Sequence, residues 1–359
     1  MVKKLVMILA VLILLLVWLA FGSGPNAGRT TPGPAGQSET RQFARYPEMR
    51  QYLGELYEQK KFKEAVALLE AHLDKFPENL RSNAYNLALM YLNLGEKERA
   101  VGGLNYGLDH GVWFGKYSFF GDVWAPLKDL PSFKAFAERN NALLREAAKS
   151  ARPLLEVVRP EGFVQENKYP LFIALHGGGE NAATFKEVWT SPKLRTEFIV
   201  AYPQSVQLVS ENGFSWIEDV ALGKQEVKAY YDQIVREYPV DTRQVVIGGF
   251  SSGGAITLEA VAADLFPVAG FIVLCPPKAE GVTAEAARSA ARRGVRGVLI
   301  TTEFDPRLKD QQAMVELMKK EGLGVDFFLF PNTGHWIPAD LDKRVDVGVD
   351  YIRQGRPGN

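Results

Sequence analysis

Ser251 carries the strongest chemical signal in the sequence. It lies in Gly249-Phe250-Ser251-Ser252-Gly253, after the apolar stretch 245–247 and at the start of an alanine-rich segment. The pattern G-x-S-x-G between a strand and a helix lifts a serine hydroxyl out of a turn so tight that only small neighbours fit. At a helix N-terminus the backbone dipole also favours developing negative charge. Ser252 is a rival nucleophile, but choosing it puts Phe250 at the first glycine position, so the glycine register selects Ser251. A serine hydroxyl is a weak nucleophile until an imidazole accepts its proton. His335, in Phe330-Pro331-Asn332-Thr333-Gly334-His335, follows the last apolar run and is the candidate base. The segment Thr301-Thr302-Glu303-Phe304-Asp305-Pro306 offers two carboxylates to orient that imidazole. Asp305 is the expected acid, because it sits farther beyond its strand and Pro306 biases it towards an extended or turn conformation. Each signal alone has an ordinary explanation, a Gly/Ser turn or a capping histidine. The chain order Ser, Asp, His makes them a set.

Acyl transfer through such a serine builds an alkoxide that needs preorganised N–H donors. Leu175-His176-Gly177-Gly178-Gly179 ends another apolar run, and its glycines let main-chain amides approach a substrate with no side chain in the way. The expected donors are the backbone of Gly178, with Gly177 as its rival, and the backbone of Ser252. His176 is expected to anchor the loop rather than act as a base. No cofactor or metal is expected. The four histidines are scattered without an HExxH pattern, and Cys275, the single cysteine, sits in an apolar run and reads as a buried thiol. Trp189, Trp216 and Trp336 are candidates for an apolar pocket wall, although core burial is the commoner fate.

Positioning these loops requires a sheet. Apolar runs of buried-strand type occur at 170–175, 197–202, 244–249, 270–274, 297–301 and 325–330, after a short strand at 154–159. Helix-like stretches at 223–237, 252–263, 283–293 and 310–321 lie between them. The alternation predicts an α/β fold over 151–359, a doubly wound, mostly parallel sheet covered on both faces. Ligands bind beyond the carboxyl ends of such strands, where the polar motifs fall.

The preceding chain divides into three parts. Lys3 and Lys4 precede an uninterrupted apolar stretch, 5–21, so residues 1–22 read as a signal peptide or membrane anchor. The lysines favour the cytoplasmic side, which makes the rest extracytoplasmic, whether secreted, periplasmic or tethered through 5–21. Residues 23–40 are a Gly/Pro/Ser/Thr-rich flexible linker. Residues 41–150 carry a helical pattern in which Leu53, Gly54 and Tyr57 recur about 34 residues later as Leu87, Ala88 and Tyr91. After a one-residue slip, Ala65 and Leu69 recur as Ala100 and Leu104. The period resembles tetratricopeptide repeats. Two units are visible, with a degenerate third around 122–136. Since such stacks need about three units for stability, this small all-α domain should lean on its neighbour. It reads equally as a protein-partner surface or a structural spacer. Charge is balanced, with 42 basic and 42 acidic residues, so no global field recruits nucleic acid.

Residues 151–355 resemble the α/β-hydrolase superfamily. They are most similar to the branch with dienelactone hydrolase, phospholipase/carboxylesterases, feruloyl esterases and polyhydroxyalkanoate depolymerases. The His176 loop, Phe214-Ser215-Trp216, the Ser251 turn, the Asp305 loop and His335 carry the likeness. The glycine run is similar to the oxyanion loop of lipases and esterases. The resemblance implies cofactor-free hydrolysis of a small-molecule or polymeric carboxylic ester; the sequence departs from it in having no obvious inserted lid between strands, which disfavours an interfacial lipase. Two other readings compete: a serine peptidase on the same fold, and a partner-binding scaffold built on a retired hydrolase. The intact set of Ser251, Asp305, His335 and glycine loop opposes the last.

Overall fold

The computed structural model describes residues 41–354. The predicted targeting segment and linker lie outside the described residues. Among the described residues, no helix is long and apolar enough to cross a membrane.

Five helices come first: α1 (Tyr46–Glu58), α2 (Phe62–Glu70), α3 (Leu80–Asn93), α4 (Lys97–Asp109) and α5 (Pro131–Ala148). The small residues of the repeat pattern sit where helices meet. Ala65, Ala88 and Ala100 are completely buried, and a Cβ at Gly103 would come 3.4 Å from Leu87 Cδ2. The degenerate third unit is a 3-10 turn, Asp122–Leu127, followed by α5. Pro131 starts α5 at the position where a missing N–H costs nothing. Phe119 packs edge to face against Trp124 and against Phe133 and Phe136 of α5.

The remaining chain builds a seven-stranded sheet from β1 (Leu154–Val158), β2 (Tyr169–Leu175), β3 (Ile199–Gln204), β6 (Val240–Phe250), β7 (Gly270–Leu274), β8 (Arg296–Thr302) and β9 (Gly324–Phe330). Its order is β1-β3-β2-β6-β7-β8-β9, with only β1 antiparallel to its neighbour. Strand periodicity divides the core in two. Leu171, Ile173 and Leu175 join one apolar cluster, whereas Phe172 and Ala174 join the other. Helices α8 (Val220–Glu237), α9 (Ser252–Ala262), α10 (Ala284–Arg292) and α11 (Leu308–Lys320) bring apolar side chains to the first cluster. Helices α6 (Ala182–Val188), α7 (Pro192–Glu197) and α12 (Leu341–Gln354) serve the second. This is the doubly wound arrangement predicted from the sequence.

Two local differences have clear causes. The helix expected from residue 223 begins at Val220, because the Asp219 carboxylate accepts the Leu222 amide at 3.0 Å and caps it. A short hairpin, β4 (Gln207–Ser210) with β5 (Gly213–Ser215), was not anticipated, since so few residues carry no readable alternation. From Arg45 onward the described chain is one compact body. A Cβ at Gly115 would come within 3.0 Å of Val209 O and Ser210 Cβ in β4, and Arg81 pairs with Glu211 in the hairpin turn.

Candidate active site

Ser251 stands between β6 and α9 with φ 51° and ψ −114°, a left-handed conformation that non-glycine residues rarely adopt. The packing around it explains its glycines. A Cβ at Gly253 would press into the carbonyl oxygens of Leu175 and His176, and one at Gly249 would meet the Gly253 backbone. The Ser251 amide donates to Leu274 O at 2.9 Å, tying the turn to β7.

His335 meets Ser251 and Asp305 on opposite edges of its ring. With the proton on Nδ1, the ring donates to Asp305 Oδ2 at 2.6 Å, and Nε2 accepts from Ser251 Oγ at 3.0 Å. The Phe250 ring stacks on the imidazole at 5.0 Å between centroids. The Asp305 side chain is fully buried. Burial pushes its carboxyl up, but hydrogen bonds from His335 and from the Arg307 amide outweigh this and hold it below the usual carboxylate range. Glu303 points elsewhere. Its carboxylate accepts the Asn332 amide at 2.8 Å, while its own amide donates to Phe330 O at 2.8 Å. Glu303 thus fastens the histidine loop, and Thr302 Oγ1 adds a bond to Gly334 O at 2.6 Å.

The glycine loop curls beside Ser251. The Gly177 amide is taken, because it donates to Glu180 Oε2 at 2.7 Å. Among the described residues the Gly178 and Ser252 amides have no acceptor. The Ser252 side chain packs against Gly178, its Oγ 3.6 Å from where a Cβ would be. His176 is completely buried, with Nδ1–H donating to Gly177 O at 2.9 Å and Nε2 facing the Ser205 amide at 3.4 Å. Burial lowers its imidazole to about 4, against the opposing pull of the Gly177 carbonyl, so it is neutral at neutral pH and anchors the loop.

Sequence reasoning did not find three residues at this site. Glu180 lies in a cleft of ≈ 450 Å³ with Phe250 and Trp336, and burial raises its carboxyl against the Gly177 amide and the nearby His335. Arg307 sets Nη1 3.4 and 3.5 Å from the two His335 ring nitrogens, and no carboxylate among the described residues pairs with it. Tyr117, from the helical region, lays its ring against Gly178. Glu180, one residue after the glycine run, had a readable signal; Tyr117 had none. Trp189 and Trp216 are core residues, whereas Trp336 stands at the cleft, half exposed. Cys275 is buried, and burial together with the Asp305 charge pushes its thiol up to about 12.

A family model described as "Alpha/beta hydrolase family" matches residues 172–321, the stretch that holds the glycine loop, the Ser251 turn and Asp305. The sheet-bearing part of the chain has the alpha/beta-hydrolase fold. A curated relative, the bifunctional acetylxylan esterase/xylanase XynS20E of Neocallimastix patriciarum, is 28% identical over 116 residues, which are 32% of this chain. The chain spans only 17% of that enzyme's length. Similar solved structures include an uncharacterized protein from Bacillus cereus ATCC 10987, 24% identical with TM-score 0.49, covering 87% of this chain and 99% of that one. Esterase PE8 is 14% identical with TM-score 0.46, covering 57% of this chain and all (100%) of its own. Within this fold, Ser251, Asp305 and His335 follow β6, β8 and β9, on one edge of the sheet.

Proposed function

We propose that this protein is a serine hydrolase that cleaves carboxylic esters through an acyl-enzyme on Ser251. The observation that carries the reading is the continuous relay from the Ser251 hydroxyl through His335 to Asp305 at 3.0 and 2.6 Å. Ser251 Oγ attacks the ester carbonyl carbon as His335 Nε2 takes its proton. The carbonyl electron pair moves to oxygen, where the vacant Gly178 and Ser252 amides supply donors. Collapse of this intermediate breaks the bond to the alcohol, which leaves with the proton from His335. A water then attacks the acyl-enzyme by the same route and restores Ser251. Asp305 keeps the proton on Nδ1 and stabilises the imidazolium that forms twice per cycle.

Labelling with a fluorophosphonate, followed by a panel of esters of rising acyl length that includes acetylated xylan, tests this reading. The name of the fungal relative supports an acetyl ester of a polysaccharide as the first substrate to try. Absence of covalent labelling and of turnover on every ester would refute the proposal; turnover of peptides with none of esters would instead favour a serine peptidase. We further propose that the folded chain works outside the cytoplasm, because Lys3 and Lys4 precede the apolar stretch 5–21. A fusion reporter active only in the cytosol refutes that.

A further inference from the structure

The helical region reaches the reacting centre through one segment. Between α4 and the 3-10 turn, the Lys116 amide donates to Val209 O at 2.7 Å, and the Lys116 ammonium pairs with Glu218. Tyr117 follows directly. Its hydroxyl lies 3.4 Å from Ser215 Oγ and bonds Glu218, and its Cε2 is 3.5 Å from a Cβ position on Gly178. The same Cβ position is 3.6 Å from Ser252 Oγ, so the Tyr117 ring borders the proposed oxyanion site itself. Phe120 packs on Tyr117 with ring centroids 5.5 Å apart. Its side chain is 68% exposed, more than any other large apolar residue among the described ones.

This arrangement needs a physical explanation. An exposed phenylalanine gains little from the fold, and a segment held only by apolar collapse would bury it. Here polar anchors to Val209, Ser215 and Glu218 fix the segment and leave the ring facing outward. Two aromatic rings, one against Gly178 and one open to solvent, make an apolar shelf beside the glycine loop. A flat apolar ring is the ligand that such a shelf accepts.

We propose that Tyr117 and Phe120 form a substrate subsite for esters that carry a ring, and that the helical region thereby sets the specificity of the hydrolase. This rests on the ester-hydrolase reading above. The ring can be aromatic or the apolar face of a pyranose, since both present flat C–H or π surfaces to an aromatic side chain.

The test uses the full chain and three substrates: ethyl acetate, which has no ring, ethyl benzoate, and an acetylated xylo-oligosaccharide. Aromatic contacts of this kind correspond to about 3- to 10-fold in affinity. Phe120→Ala should therefore lower kcat/KM for a ring-bearing ester relative to ethyl acetate by about 3- to 10-fold, through KM. Leu143→Ala, a half-exposed apolar position on α5, should leave the ratio at its wild-type value. A drop for ethyl benzoate alone assigns the shelf to aromatic groups, a drop for the oligosaccharide alone to sugars, and either supports the subsite. An unchanged ratio for both overturns it. Calorimetric binding of the two ring-bearing esters to Ser251→Ala protein, with and without Phe120→Ala, separates the subsite from catalysis. If wild type turns over no ester, weaker ring binding after Phe120→Ala still supports the shelf, and unchanged or undetectable binding rejects it.

Discussion

Asp305→Asn is the substitution that most directly tests how the site works. The Asp305 carboxylate is fully buried and accepts the Nδ1 proton of His335 at 2.6 Å, while its other oxygen takes the Arg307 amide at 2.8 Å. An asparagine fits the same space and can still accept the Arg307 amide. Its NH2 group then faces Nδ1 and favours the tautomer with the proton on Nε2, which turns a donor towards Ser251 and removes the base. The imidazolium of the transition state also loses its counter-charge. Together these effects should cut kcat by up to about ten-thousand-fold, the scale seen when an amide replaces the aspartate of such a relay. Glu303→Gln is the matched control. Its carboxamide oxygen still accepts the Asn332 amide, so the histidine loop keeps its tie and kcat should fall less than about tenfold. Saturation kinetics on p-nitrophenyl acetate, beside thermal melts to show that both variants are folded, decide the matter. The reasoning is refuted if Glu303→Gln causes the large loss while Asp305→Asn stays within tenfold of wild type.

Ser251→Ala should abolish fluorophosphonate labelling, whereas Ser252→Ala should not, because Ser252 contributes its backbone amide; equal labelling of Ser251→Ala and wild type ends the nucleophile assignment. His176, lowered to about 4 by burial, should make stability depend on pH. A base whose folded-state value is depressed stabilises the fold above its unfolded value of about 6.5, and that stability is lost as pH falls towards 4. The loss should reach about 3 kcal/mol at most, and an imidazole resonance for His176 that titrates near 6.5 in NMR contradicts it. A fragment of residues 151–359 should unfold at lower denaturant than 41–359, since it loses the Arg81, Lys116 and Tyr117 contacts to the β4–β5 region; equal midpoints for the two would show that the helical region adds nothing to stability.

The parts of this molecule that were legible in the sequence are those whose signal is local. Strand β2 shows its burial in one unbroken apolar run, and Gly249, Ser251 and Gly253 stand in a five-residue frame whose geometry follows from the missing Cβ atoms. The sequence favours Gly178 over Gly177 as a donor, but it does not show the carboxylate that folds back from Glu180 onto the Gly177 amide. In the sequence, reach beyond the strand favours Asp305 over Glu303. The structure gives a different physical reason for the role of Glu303, which is engaged by Asn332 on the next loop. Tyr117 could not be found at all. Nothing in its neighbours marks it, and its place beside Gly178 depends on packing between segments more than sixty residues apart in the chain. The β4–β5 hairpin was lost for a related reason, since its strands are too short to show a period.

The distribution of backbone strain shows how the site is held ready. Of the five non-glycine residues with positive φ among the described residues, Ser251, Cys275 and Asn332 all lie just beyond the carboxyl ends of sheet strands, after β6, β7 and β9. Each such conformation costs about 1–3 kcal/mol and persists only where its surroundings over-determine it. In all three the amide is tied to a neighbouring strand or its loop. Ser251 donates to Leu274 O at 2.9 Å, Cys275 to Ile300 O at 2.8 Å, and Asn332 to Glu303 Oε2 at 2.8 Å. The ties run from β6 to β7, from β7 to β8, and from β9 back to β8, so the strained turns form a stitched row across the sheet edge. Ser251 stands at one end of this row, and at the other the stitched loop leads to His335. The sheet's buried hydrogen bonds and apolar contacts offset the strain, which leaves the hydroxyl, imidazole and carboxylate in register before any substrate arrives. For the proposed reaction, the reorganisation that a mobile site would need would thereby be completed during folding.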